Sequence, residues 1–141
     1  MRMMNHMRLE FDALPENERF ARIAVSAFTV PFNPTMDVLS DIRTAVSEAV
    51  TNAIVHAYRE TAGDIVLDAT LREDGTLLLT VADHGCGIEN IEQAMQPFFT
   101  TQPEQERSGM GFAVMQSFMD SVQVESTPGQ GTRVSMEKRI R

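Results

Sequence analysis

The sequence predicts an α+β domain, a two-layer sandwich in which helices cover one face of a mixed, mostly antiparallel sheet. Three observations carry this. Ile65, Leu67, Ala69 and Leu71 alternate with more polar residues and are followed, across Glu73-Asp74-Gly75, by the apolar run Thr76 to Ala82. That is a hairpin signal, because a Gly-containing turn returns the chain antiparallel to itself. A second pair of alternating segments, Val122 with Val124 and Thr132 to Lys138, flanks Pro128-Gly129-Gln130-Gly131. Between Met36 and Tyr58, apolar residues recur at Val38, Ile42, Ala45, Val46, Ala49, Val50 and Ala53, the spacing of one helix face.

Taken in order, Leu9 and Phe11 alternate with Glu10 and Asp12, so Arg8 to Ala13 reads as a strand preceded by a polar start. Pro15 breaks it. Glu16 to Thr29 reads as a helix that buries Phe20, Ile23 and Phe28 and leaves Arg19 and Arg22 outside. Pro31 and Pro34 separate it from the long helix, with Asn33 or Thr35 as cap. The long helix runs to Tyr58, and Gly63 ends the helical region. After the first hairpin, Asp83 to Gly87 is a loop and Ile91 to Met95 a short helix. Pro97 to Gly111, with two prolines and no apolar period, is a long loop. Phe112 to Met119 is a helix whose Phe112, Met115 and Met119 share one side.

The chain has 141 residues, with 12 Lys+Arg against 20 Asp+Glu, a formal net charge of −8, and one cysteine. A length near ~150 residues suggests one domain over 1–141. The acidic surplus argues against direct nucleic-acid binding and against an anionic membrane surface, both of which select Lys and Arg. A single Cys86 permits no internal disulfide. No targeting segment or membrane-spanning run is visible, and a cytoplasmic protein is expected.

Three segments stand out chemically. Glu48, Asn52 and His56 are spaced i, i+4, i+8 and form a polar stripe beside the apolar face of the long helix. Asparagine competes for backbone hydrogen bonds and is a poor choice in mid-helix. Asp83-His84-Gly85-Cys86-Gly87 follows a buried strand, and its glycines permit close approach of a ligand. Gly109-Met110-Gly111 opens a helix, where free N–H groups favour phosphate. No Gly-Lys-Ser/Thr follows, so this is not a P-loop.

In this order, Glu48-Ala49-Val50-Thr51-Asn52-Ala53, Asp83 to Gly87 and Gly109 to Gly111 resemble the N, G1 and G2 boxes of the ATPase family shared by gyrase, Hsp90, histidine kinases and MutL. Phe99-Thr100-Thr101-Gln102-Pro103-Glu104, Ser108 to Phe112 and Ser47 to Ala53 look in particular like the anti-sigma-factor serine kinases of sporulating bacteria. The resemblance implies a Bergerat-type ATP-binding fold using ATP and Mg²⁺. It implies Asn52 as the Mg²⁺ ligand and Glu48 as the general base for a serine hydroxyl. Asp83 would accept from the adenine amino group, Thr132 would support that contact, and Gly85 and Gly87 would let the loop pack against the base. Arg107, Ser108, Gly109, Met110 and Gly111 would face the phosphates, within a lid at about 97–110. Ala57, His84, Cys86 and Gln102 depart from the residues usual at their places.

The same resemblance implies two protein partners. One is a sporulation sigma factor, with sigma F first in line; the other is an anti-anti-sigma factor as serine substrate. A homodimer is expected as well. Arg22, a basic spot on an acidic body, is the expected partner contact. Two other readings share the boxes: the catalytic domain of a histidine kinase, and a nucleotide-gated binding module without catalysis.

Overall fold

The computed structural model describes residues 2–58, 62–96 and 111–141. Its elements are β1 (Met3–Asp12), α1 (Glu16–Phe28), α2 (Met36–Asn52), β2 (Asp64–Arg72), β3 (Thr76–Asp83), α3 (Ile91–Ala94), α4 (Gly111–Phe118), β4 (Ser121–Thr127) and β5 (Gly131–Arg139). The five strands form one sheet in the order β1-β2-β3-β5-β4. The expected predominance of antiparallel pairing is complete: each of the four pairings is antiparallel.

The hairpin β2–β3 closes at Gly75, whose φ of 93° is open to glycine at little cost. The Asp74 carboxylate accepts from Thr76 N–H at 3.0 Å and from the Arg72 guanidinium at 2.9 Å. These bonds hold the Asp74 carboxyl below the usual carboxylate range. Along β2 and β3 one face is buried, with Ile65, Leu67, Ala69, Leu71, Leu77, Leu79 and Val81 in the core. Ile42, Ala45, Val46, Ala49 and Val50 of α2 join the same cluster, as do Phe112, Met115 and Met119. Each large aliphatic side chain taken fully from water contributes about 1.5–3 kcal/mol. α1 and α4 both pack on α2, which is the central rib of the helical layer.

Thr35 caps α2, its hydroxyl accepting from Val38 N–H at 3.3 Å. Asn33 instead takes a left-handed conformation, φ 49°, at the end of a 3-10 turn over Val30–Phe32.

Three expectations need correction. β1 starts at Met3 rather than Arg8, pairing with β2 from Met3↔Arg72 onward. Its first residues are exposed on both faces, so no alternation marks them; ladder hydrogen bonds rather than burial define that half of the strand. The long helix does not run regularly to Tyr58. After Asn52 it widens into a π turn over Ala53–Ala57, closed by Tyr58 N–H to Ala53 O at 3.3 Å. Finally, α1 buries Ala21 and Val25 while Phe20 and Ile23 stand about half exposed, at 49% and 52%. Small residues suffice where α1 lies against α2. The Phe20 ring is instead turned edge-on to Phe11 of β1, with centroids 6.1 Å apart.

That rotation of α1 brings Arg22 inward. Arg22 is half-buried, and its Nε lies 3.5 Å from Glu18 Oε1. The same carboxylate accepts the Ser47 hydroxyl of α2. Arg22 is therefore an ion-paired residue at the α1–α2 seam, sharing the Glu18 carboxylate with Ser47, the residue before Glu48, rather than a freely solvated cation.

Candidate nucleotide-binding site

A cavity of about 520 Å³ opens between α2, the end of β3 and the start of α4. That volume is in the range of small-ligand sites. Asn52, Asp83, Gly87, Gly111 and Thr132, which come from four separated stretches of chain, all line it.

The Asp83 carboxylate sits at the last residue of β3, where the strand leaves the sheet. Its Oδ1 accepts two backbone N–H groups, Gly85 at 2.9 Å and Thr132 at 3.2 Å. No hydrogen bond among the described residues reaches Oδ2, so one acceptor oxygen is left for a ligand in the cavity. Burial pushes the Asp83 carboxyl up from the ordinary aspartate value of 3.8, and the N–H donors of Gly85 and Thr132 offset only part of that.

Thr132 is fixed in turn by a hydroxyl pair with Ser126 Oγ at 2.8 Å, across β4–β5. Ser126 Oγ also accepts from Ile88 N–H at 2.7 Å. Sequence reasoning missed Ser126. Its signal is a register relationship, Ser126↔Thr132, that only pairing reveals.

The loop after Asp83 hangs from the π turn. Cys86 N–H donates to Ala57 O at 2.9 Å, and the Cys86 thiol donates to His56 O at 3.3 Å. Gly85 Cα lies so close to Ala57 that a Cβ would collide with the Ala57 carbonyl. Gly87, at φ 77°, approaches the Thr127 carbonyl in the same way. Both glycines are thus required where the loop backbone packs against Ala57 of the helix end and Thr127 of β4.

On the opposite wall, Gly111 opens α4 beside Asn52; a Cβ there would meet Asn52 Oδ1 at 3.0 Å. The Asn52 Nδ2 is buried without a hydrogen-bond partner among the described residues. A buried amide left unpaired costs about 1–3 kcal/mol, a cost that a ligand group accepting from Nδ2 would offset. Glu48 is half-buried one turn before Asn52, outside the residues that line the cavity. His56 lines the cavity, while His84 is exposed. Asn90 and Gln93, around the short α3, close the remaining side and carried no sequence signal. Arg107, Ser108, Gly109, Met110 and the expected lid at 97–110 lie outside the described residues.

Known proteins share this fold and much of this sequence. The model of the histidine kinase-like ATPase domain matches residues 11–138. The anti-sigma F factor of Geobacillus sp. (strain WCH70) is 54% identical over 138 residues, covering 98% of this chain and 94% of the relative. The anti-sigma F factor of Bacillus subtilis (strain 168) is 50% identical over 139 residues, covering 98% and 94%. Among solved structures, the RsbU and RsbW domains of Rv1364c from Mycobacterium tuberculosis superpose with a TM-score of 0.71 at 20% identity, over 97% of this chain and 33% of that one. The catalytic domain of histidine kinase ThkA superposes with a TM-score of 0.57 at 16% identity, over 97% of each chain. The structural likenesses speak for the fold, and the sequence matches for descent. The chain belongs to the histidine kinase-like ATPase family and, within it, to the family of the anti-sigma F factors.

Proposed function

We propose that residues 1–141 form one ATP-binding kinase domain with two linked activities. It binds and inhibits a sporulation sigma factor of the F type, and it phosphorylates a serine of an anti-anti-sigma factor, inactivating that antagonist. The observation that carries the reading is the cavity joining Asn52, Asp83, Thr132 and Gly111, with Glu48 one helical turn from Asn52. The names of the relatives support the anti-sigma role.

In this reading the free Asp83 Oδ2 accepts the adenine amino group, and Thr132 holds the carboxylate from the far side. Guanine would set a carbonyl oxygen against the same carboxylate, so the site favours ATP over GTP. The start of α4 at Gly111 turns backbone N–H groups toward phosphate. Among the described residues no group of three or more His, Cys, Asp or Glu could hold a metal ion. A divalent cation would be held by the Asn52 carboxamide oxygen together with nucleotide phosphates, which suits Mg²⁺ and its preference for few protein ligands. When bound, Mg²⁺ neutralises developing phosphoryl charge. Arg107 and the Ser108 to Met110 segment belong to the phosphate end in this reading.

Glu48 takes the proton of the attacking serine hydroxyl, a role worth ~10²–10⁴-fold in rate. Arg22 contacts the protein partners. Exposed Phe20, Leu14, Met3 and Met4 around β1 and α1 support a homodimer contact on that side. The location that goes with these partners is the cytoplasm; no helix among the described residues is long and apolar enough to cross a membrane.

The test is transfer from γ-labelled ATP to purified candidate partners and to a host lysate. Phosphoserine on one small protein is expected. Acid-labile phosphohistidine would overturn the serine assignment, and no transfer despite ATP binding would overturn the kinase assignment.

A further inference from the structure

Tyr58 stands outside the cavity's lining, yet it touches what shapes the cavity. It is 7% exposed, directly after the π turn. Its hydroxyl donates to Asp64 O at 2.5 Å and accepts from His84 N–H at 2.9 Å. Its ring lies against Gly63, where a Cβ would overlap Cε1 and Cζ of the tyrosine. One phenol thus ties the start of β2 to the residue following Asp83.

With Ala57 O holding Cys86 N–H and His56 O holding the Cys86 thiol, three consecutive residues of the helix end grip the Asp83–Gly87 loop. The grip decides where Asp83 points. Its Oδ1 is committed to Gly85 and Thr132 N–H groups, so the direction of Oδ2 follows the loop backbone. A regular α-helix ending would put residue 58 about 100° away around the axis; the extra residue of the π turn brings the phenol to His84.

We propose that Tyr58 is a positioning residue for nucleobase selection, its hydroxyl locking the loop whose Asp83 carboxylate reads the base. This rests on the nucleotide-binding reading above. Tyr58 touches neither base nor phosphate; it acts through His84 and Asp83. Burial raises the phenol's pKa above its ordinary 10.0, so the hydroxyl keeps its proton for Asp64 at physiological pH.

The experiment compares ATP, GTP and inorganic tripolyphosphate binding by calorimetry in the wild type and in Tyr58→Phe. The variant keeps the ring on Gly63 and frees His84 N–H. Its ATP affinity should fall several-fold to about tenfold, the scale of one net hydrogen bond. GTP and tripolyphosphate affinities should stay within twofold, so the ATP-to-GTP ratio narrows. An unchanged ratio, or equal weakening of all three, would overturn the proposal, since equal weakening means only a looser fold. A wild type without preference for ATP over GTP would instead sink the adenine reading itself.

A second measurement needs no variant. The protein has one tyrosine and no tryptophan, so its intrinsic tyrosine fluorescence reports Tyr58 alone. ATP should change that signal and tripolyphosphate should leave it unchanged. Equal responses to both would count against the clamp even if Tyr58→Phe failed to fold.

Discussion

Asp83 at the end of β3 accepts the backbone N–H of Thr132 at the start of β5, at 3.2 Å and 49 residues away in sequence. The carboxylate is therefore aimed by the neighbouring strand as well as by its own loop. Because β5 lies between β3 and β4, the sheet order itself builds the corner where Asp83, Thr132 and Ser126 meet.

Asp83→Asn should weaken ATP binding roughly ten- to a hundred-fold, since a hydrogen bond to a charged group is worth about 1.5–3 kcal/mol. Calorimetry checks this. The same variant has a stability signature. The folded-state pKa of Asp83 lies above its unfolded value, so the folded protein holds this proton more tightly. The stabilisation is complete below the unfolded pKa and is lost as pH rises through the folded one. Unliganded Asp83→Asn should therefore be at least as stable as wild type at neutral pH, and the two should converge in acid. Urea unfolding at both pH values measures it; a variant less stable only at neutral pH contradicts the sign.

Glu48→Gln should separate binding from transfer. The amide keeps size and polarity but cannot take a proton. ATP affinity should stay within about threefold while phosphorylation of the partner slows by ~10²–10⁴. A wild-type single-turnover rate would remove Glu48 as the base.

Gly85→Ala should be costly although the residue is small and partly solvated. The added methyl would meet the Ala57 carbonyl, a backbone group that cannot swing aside. Overpacking of this kind costs about 1–3 kcal/mol. Both melting temperature and ATP affinity should fall. Loss of stability with unchanged nucleotide affinity would show that the loop–helix contact does not shape the site.

Arg22→Glu should weaken capture of both the sigma factor and the substrate protein and leave ATP affinity within twofold. Because Arg22 pairs with Glu18, the reversal also sets two carboxylates together at the α1–α2 seam. Arg22→Ala is the control that removes the contact without that repulsion, and pull-downs should show the same direction of effect. Undiminished capture by both variants would exclude Arg22 as a contact.

Local chemistry was enough for the sequence to determine the elements: the hairpin around Gly75, the apolar stripe of α2, the single apolar side of α4, and the ordered segments at 48–53, 83–87 and 109–111. Turn residues and side-chain period act within a few residues of themselves, so they read directly from the chain. Tertiary structure alone decided four things. It put β5 beside β3, which joined Asp83 to Thr132 and Ser126. It widened the helix after Asn52 so that Ala57 and Tyr58 could hold the Asp83 loop. It extended β1 to Met3 through ladder bonds that need no apolar alternation. And it turned α1 so that the Glu18–Arg22 pair lies against Ser47 of α2 while Phe20 and Ile23 face out. The physical reason is common to all four: each depends on a hydrogen bond or a contact with a residue distant in sequence. The energy of such a pairing belongs to two segments together, and neither carries its mark alone.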